Sequence, residues 1–140
     1  MRVDWAIPCR YAEVHDNLAT IIGGGIDHMW MPALPAPVQV ILAIRLIFLP
    51  DEIDSGAVHK LRVAAIAPGG ETLSQVEGDL NVAGPTAPAG DWLQGLHIPM
   101  AIQFMAEAEG QYSLEITVDG HTMGVFMNVA LGPPPQPPSG

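Results

Sequence analysis

Gly110-Gln111-Tyr112-Ser113-Leu114-Glu115-Ile116-Thr117-Val118-Asp119-Gly120 alternates apolar and polar side chains and runs into an Asp-Gly pair. Alternation with a period of two is the pattern of a strand buried on one face. Asp-Gly accommodates the positive φ angles of a two-residue hairpin turn. Tyr112, Leu114, Ile116 and Val118 are therefore predicted to face a core, and Gln111, Ser113, Glu115 and Thr117 to face water. The pattern resumes after the turn with Met123, Val125, Met127 and Val129, which predicts the partner strand.

Working outward, the same logic places a first strand over residues 3–13, with Pro8 marking it as an edge strand or the site of a bulge, because proline has no donor for a ladder. His15, Asp16 and Asn17 make a turn into a second strand over residues 18–22, and Gly23, Gly24 and Gly25 end it. No Lys or Ser/Thr follows these glycines and no helical pattern begins, so they read as a bend and not as a phosphate cradle. Pro32, Pro35 and Pro37 predict an extended connection over residues 26–37, carrying Met29, Trp30 and Met31. Residues 38–49 are the longest apolar segment and suit a central strand buried on most of both faces. Strands are expected over residues 59–67 and 73–82, turned by Gly69 and Gly70, and over residues 96–104. Residues 84–95 read as a long loop with Trp92 tucked against the edge of the fold.

No stretch sustains a helical period with caps. The expected fold is all-β: a two-sheet antiparallel β-sandwich of about eight strands, immunoglobulin-like, with Greek-key connections. One domain over residues 1–132 is followed by a flexible proline-rich tail over residues 133–140. Gly110 and Tyr112 form a Gly-x-Tyr at the start of the penultimate strand, which resembles the tyrosine corner of immunoglobulin-like folds. That likeness implies a phenol bonded to nearby backbone. Leu114 stands where such domains carry a cysteine, so their inter-sheet cysteine pair is absent.

The net charge of −10 is unevenly spread: Arg2, Arg10, Arg45, Lys60 and Arg62 all precede position 63, and the acids from Glu71 to Asp119 have no basic residue among them. Phosphate backbones are repelled by such a surface, so no nucleic-acid partner is expected. No apolar run reaches the roughly 18–20 residues of a membrane span. Asp4 and Pro8 interrupt the region where a secretory signal would need its apolar core, and Cys9, the single cysteine, forbids an internal disulfide. A cytoplasmic location is the expectation. Cys9 falls in phase with Val3, Trp5, Ile7 and Tyr11, which makes it a buried structural thiol.

Chemistry is hard to find. His15, His28, His59, His97 and His121 lack the close pairing of many metal sites and read as surface or turn residues. Glu77 and Asp79 lie on the polar side of their strand, and no serine sits in a nucleophile elbow. No catalytic residue and no cofactor is expected, and the chain is not read as an enzyme.

Gly23-Gly24-Gly25-Ile26, residues 30–37, the charged strand at residues 61–63 and the hairpin of residues 110–120 together resemble an uncharacterised family of small actinobacterial proteins, over about residues 1–132. The resemblance implies a stand-alone β-sandwich in a bacterial cytoplasm and no known activity. The leading functional expectation is a non-catalytic protein-interaction or structural module. Its protein partner, or a second copy of itself, would be engaged through edge strands or through Met29, Trp30 and Met31. The alternative is a loop-based small-molecule or metal-binding site with Asp27, His28, Asp51 and Asp54 as ligands.

Overall fold

The computed structural model describes residues 1–52, 57–82 and 92–139. Among the described residues ten strands follow one another: β1 (Arg2–Cys9), β2 (Tyr11–His15), β3 (Leu18–Ile22), β4 (His28–Met31), β5 (Ala36–Phe48), β6 (His59–Ile66), β7 (Thr72–Leu80), β8 (Gln94–Ala106), β9 (Gly110–Val118) and β10 (His121–Leu131). A single 3-10 turn lies at Pro50–Glu52. The strands form a three-stranded sheet in the order β1-β5-β8, a five-stranded sheet in the order β4-β10-β9-β6-β7, and a β2-β3 ribbon. Every pairing is antiparallel except β4 with β10, which is parallel.

β5 carries the largest share of the packing. Val38, Val40, Leu42, Ile44, Leu46 and Phe48 alternate along it and are all buried in one core. Leu61 and Val63 of β6, Ile102 and Phe104 of β8, Tyr112, Leu114, Ile116 and Val118 of β9, and Met127 and Val129 of β10 complete that core. Burying a side chain of this size contributes roughly 1.5–3 kcal/mol. The opposite face of β5 is covered as well: Ala43 is only 3% exposed, because the β2-β3 ribbon lies over β5 and β8. Ala12, Val14, Ala19 and Ile21 alternate on the ribbon's half-buried side, while Tyr11, Leu18 and Ile22 point to solvent.

Asn17 fastens the ribbon. It adopts φ 56° beside Asp16 at φ 51°, a two-residue turn with both angles positive. Its side-chain amide donates to the Gly95 carbonyl at 2.7 Å, and its Oδ1 accepts the His97 backbone N–H at 3.0 Å. Its own carbonyl accepts from His97 Nδ1 at 2.7 Å, so the imidazole carries its proton on Nδ1. Trp5 packs against the same imidazole with ring centroids 5.5 Å apart.

Several expectations are corrected. The first strand is not continuous through residue 13. It breaks at Arg10, whose N–H turns to the Ile22 carbonyl, while the Pro8 carbonyl accepts from Gly25 and Ile26. β1 therefore pairs with β5 and β2 with β3. Pro8 does lie on an edge strand, as expected, while the bulge of β1 falls between Val3 and Trp5. Residues 26–37 are not merely a connection, since they contain β4; its parallel pairing makes the five-stranded sheet mixed where an all-antiparallel arrangement was expected. β8 starts at Gln94, inside the expected loop, and Trp92 is 59% exposed, not tucked away. Residues 83–91 of that loop lie outside the described residues.

The hairpin at residues 110–120 matches its pattern residue for residue. Val118 opposes His121 across a turn in which Asp119 and Gly120 have φ 48° and 77°. The Tyr112 hydroxyl donates to the Ala108 carbonyl at 2.7 Å, the phenol-to-backbone bond implied by the Gly-x-Tyr, and its ring stacks on Phe104 at 5.3 Å. Gly110 must be small, because a Cβ there would lie 2.7 Å from Cγ of Pro68.

Replacing Tyr112 by Phe keeps the stacked ring and removes only the hydroxyl. Urea denaturation of the variant is expected to show a loss of about 1–2 kcal/mol with an unchanged m-value.

Candidate interaction site

β4 is an edge strand, and its backbone divides cleanly between two sides. The Asp27 carbonyl accepts from Asn128 N–H at 2.7 Å and the Met31 carbonyl from Gly132 N–H at 3.0 Å. Backbone groups alternate in direction along a strand, so Asp27, Met29 and Met31 serve the ladder to β10. His28 and Trp30 direct their N–H and C=O groups away from the sheet, where no strand lies among the described residues.

The side chains divide in the same way. Met29 and Met31 pack against the hydrophobic core. Trp30 projects from the other face, half-buried, with its indole stacked on the His28 imidazole at 6.0 Å and 13°. Pro32, Gly132, Pro133 and Pro134 border Trp30 and form a shallow groove with it. Further along the same face Phe126 is 56% exposed. The Met29, Trp30, Met31 set thus has two jobs: the methionines cap the core and the tryptophan faces out.

Among the described residues the three other edges of the two larger sheets carry features that discourage pairing. β1 holds Pro8, Asp4 and a bulge, β8 holds Pro99 at mid-strand, and β7 presents exposed Glu77 and Asp79. β4, His-Met-Trp-Met, has no proline, no carboxylate and no bulge; its protection is its four-residue length.

The alternative ligand set is not brought together. Asp27 and His28 pair with each other at 3.0 Å beside Asn128, and the imidazole holds the Asp27 carboxyl below its usual range. Asp51 sits in the 3-10 turn beside Glu52, near the opposite end of β10. The two places are separated by most of that strand, roughly 30 Å at about 3.4 Å per residue. Asp54 lies outside the described residues. Among the described residues no group of three or more His, Cys, Asp or Glu side chains could hold a metal ion.

Two polar sites have structural roles. Cys9 is buried and donates to the Ile41 carbonyl at 3.4 Å, and burial pushes its thiol pKa up against the opposing effect of backbone bonds to Ala43 and Tyr11. His59, expected at the surface, is instead the one buried polar residue among the described ones at 6% exposure. Its Nδ1 meets Asp119 Oδ2 at 2.6 Å, which ties the start of β6 to the β9-β10 turn. The Met1 α-amino group reaches the same Asp119 oxygen at 3.4 Å and pairs closely with Glu52.

A family model, that of a family of unknown function (DUF6941), matches residues 4–127. No curated protein and no solved structure matches the chain. No helix among the described residues is long and apolar enough to cross a membrane.

The Met1 ammonium, and next the Leu49 N–H at 2.5 Å, hold the Glu52 carboxyl below its ordinary value of 4.5. A depressed folded pKa gives stability that is complete above the ordinary value and disappears as pH falls through the folded one. Acid titration of stability is therefore expected to be shallower in Glu52→Gln than in the parent chain between about pH 5 and pH 2, by denaturant midpoints read across that window.

Proposed function

The chain belongs to the family of unknown function DUF6941, a membership that brings no activity with it, and we propose that it is a non-catalytic interaction module that pairs with a second copy of itself along β4. The two large sheets are read as the layers of a β-sandwich with Greek-key connections, and β4 as its working edge. The observation that carries this reading is the outward direction of the His28 and Trp30 backbone groups on an edge of the five-stranded sheet that has no proline, no carboxylate and no bulge.

Two copies of β4 running antiparallel about a two-fold axis are self-complementary. With Met29 on the axis, His28 of each copy opposes Trp30 of the other, and both residues meet backbone to backbone. The imidazole and indole, already stacked within one copy at 6.0 Å, then continue as one row of rings across the junction. No like charges oppose each other in this register. Pairing of this kind joins two five-stranded sheets into one continuous sheet. The remaining polar clusters support a non-catalytic role, because His59, Asp119 and Glu52 are committed to holding strand ends and turns.

A net charge of −10 on each copy opposes association when salt is scarce. Sedimentation equilibrium is expected to show more dimer as the Debye length falls from about 30 Å to about 8 Å. His28→Pro removes one free-edge donor without touching the β10 ladder and is expected to leave a folded monomer. A chain that stays monomeric at every salt and protein concentration, or a His28→Pro variant that dimerises like the parent, rules this reading out.

A further inference from the structure

The glycine run at Gly23-Gly24-Gly25 has no part in the β4 edge, yet it does specific work. Gly23 has φ +64°, and a Cβ on it would lie 3.0 Å from both Cγ and Cδ of Arg10. A Cβ on Gly24 would lie 3.1 Å from Ile21 and 3.2 Å from Ile7. The loop therefore lies flat against the Arg10 stem, and the Pro8 carbonyl anchors it by accepting from Gly25 at 2.8 Å and Ile26 at 3.1 Å. Arg45 is bound to Asp4 at 2.6 Å and Arg62 to Gln75 at 2.9 Å. Arg10 is exposed, and its guanidinium has no hydrogen bond or ion pair among the described residues, although the chain is strongly acidic.

Arg10 stands at a half-open cleft of about 420 Å³, lined also by Cys9, Ile26, Met29, Gln39 and Ile41. The cleft exists because β1 ends early. β8 accompanies β5 from Ala36 to Phe48, but β1 meets β5 only from Ile41 onward. The Ile41 carbonyl points toward β1, where it accepts the Cys9 thiol. Strand alternation gives Gln39 the same direction, and by that point β1 has turned away. The Gln39 N–H and C=O thus face a place where a further extended chain would fit.

We infer that this cleft binds the C-terminal end of an extended peptide whose last side chain is aliphatic. The Arg10 guanidinium receives the terminal carboxylate as a charge-assisted pair. The Gln39 backbone takes the peptide's own N–H and C=O, as in strand addition. Ile26, Met29 and Ile41, with the neutral Cys9 thiol, receive the aliphatic side chain. A chain end fits this lining, its terminal carboxylate meeting the single guanidinium while its last backbone groups meet the Gln39 strand edge. Its carboxylate also complements Arg10, the one cation among the cleft's lining residues, in a chain of net charge −10.

The test uses N-acetyl-Ala-Leu with a free carboxylate, its C-terminal amide, and hexanoate, each titrated into the full chain while backbone amide and methionine methyl resonances are followed. Saturable shifts at Gln39 and Met29 are expected with the free acid. Affinity should fall by about tenfold for the amide and for Arg10→Gln, the scale of one charge-assisted bond, with Arg10→Lys recovering part of it. The amide-proton spectrum of each variant verifies that the fold is intact. Absence of saturable shifts, or equal affinity of acid and amide, overturns the inference. Hexanoate binding as tightly as the peptide overturns the peptide assignment, since hexanoate cannot use the Gln39 backbone. Because Arg10→Gln leaves β4 untouched and His28→Pro leaves the cleft's cation in place, failure here is separable from failure of β4 pairing.

Discussion

The need to bury β5 on both of its faces governs the architecture. Thirteen residues long and apolar on both sides over most of its length, it cannot sit at a surface. One face is met by the five-stranded sheet through Val38, Val40, Leu42, Ile44, Leu46 and Phe48. The other requires the β2-β3 ribbon, a cover too small to be stable alone. Asn17 compensates by tying the ribbon's turn to β8 through three polar contacts with Gly95 and His97. The ribbon can exist only because the chain leaves β1 at Arg10. The break, the ribbon and the cleft that the break opens are thus consequences of one demand for cover.

Both proposed surfaces follow from strands of unequal length. β4 is short and stands alone at its edge, so half of its backbone groups are unpaired. β1 is shorter than β5, so one end of β5 is left open. In neither place does the chemistry come from an unusual side-chain constellation. It comes from backbone that the sheets leave available, dressed by Trp30 in one case and by Arg10 in the other.

Much of this was legible in the sequence, and what was not has definite physical causes. The hairpin at residues 110–120 is local: its alternation, its Asp-Gly turn and the Tyr112 phenol all report on residues close in the chain, so pattern and structure agree. The β5 segment advertised its burial by composition. β4 was hidden because Met29, Trp30 and Met31 are apolar on both sides of the strand and are flanked by prolines. Only pairing with a strand about a hundred residues away gives them regular structure. The break at Arg10 was invisible because alternation runs unbroken from Val3 to Tyr11. The glycines read as a bend, but the contact that keeps Gly23 small comes from Arg10, thirteen positions earlier, and that for Gly24 from Ile7 and Ile21. His59 was missed for the same reason, since its partner Asp119 belongs to a turn sixty residues on.

The parallel pairing of β4 with β10 also orders events during synthesis. β4 is made about a hundred residues before residues 128–131, its partners. Non-local pairing of this kind must bear the entropy of closing a long loop before it gains contact energy. Throughout that interval the Met29 and Met31 side chains and the whole of the β4 backbone lack their native cover. Its brevity then has a second value: four residues make a poor template for aggregation while the chain waits for β10.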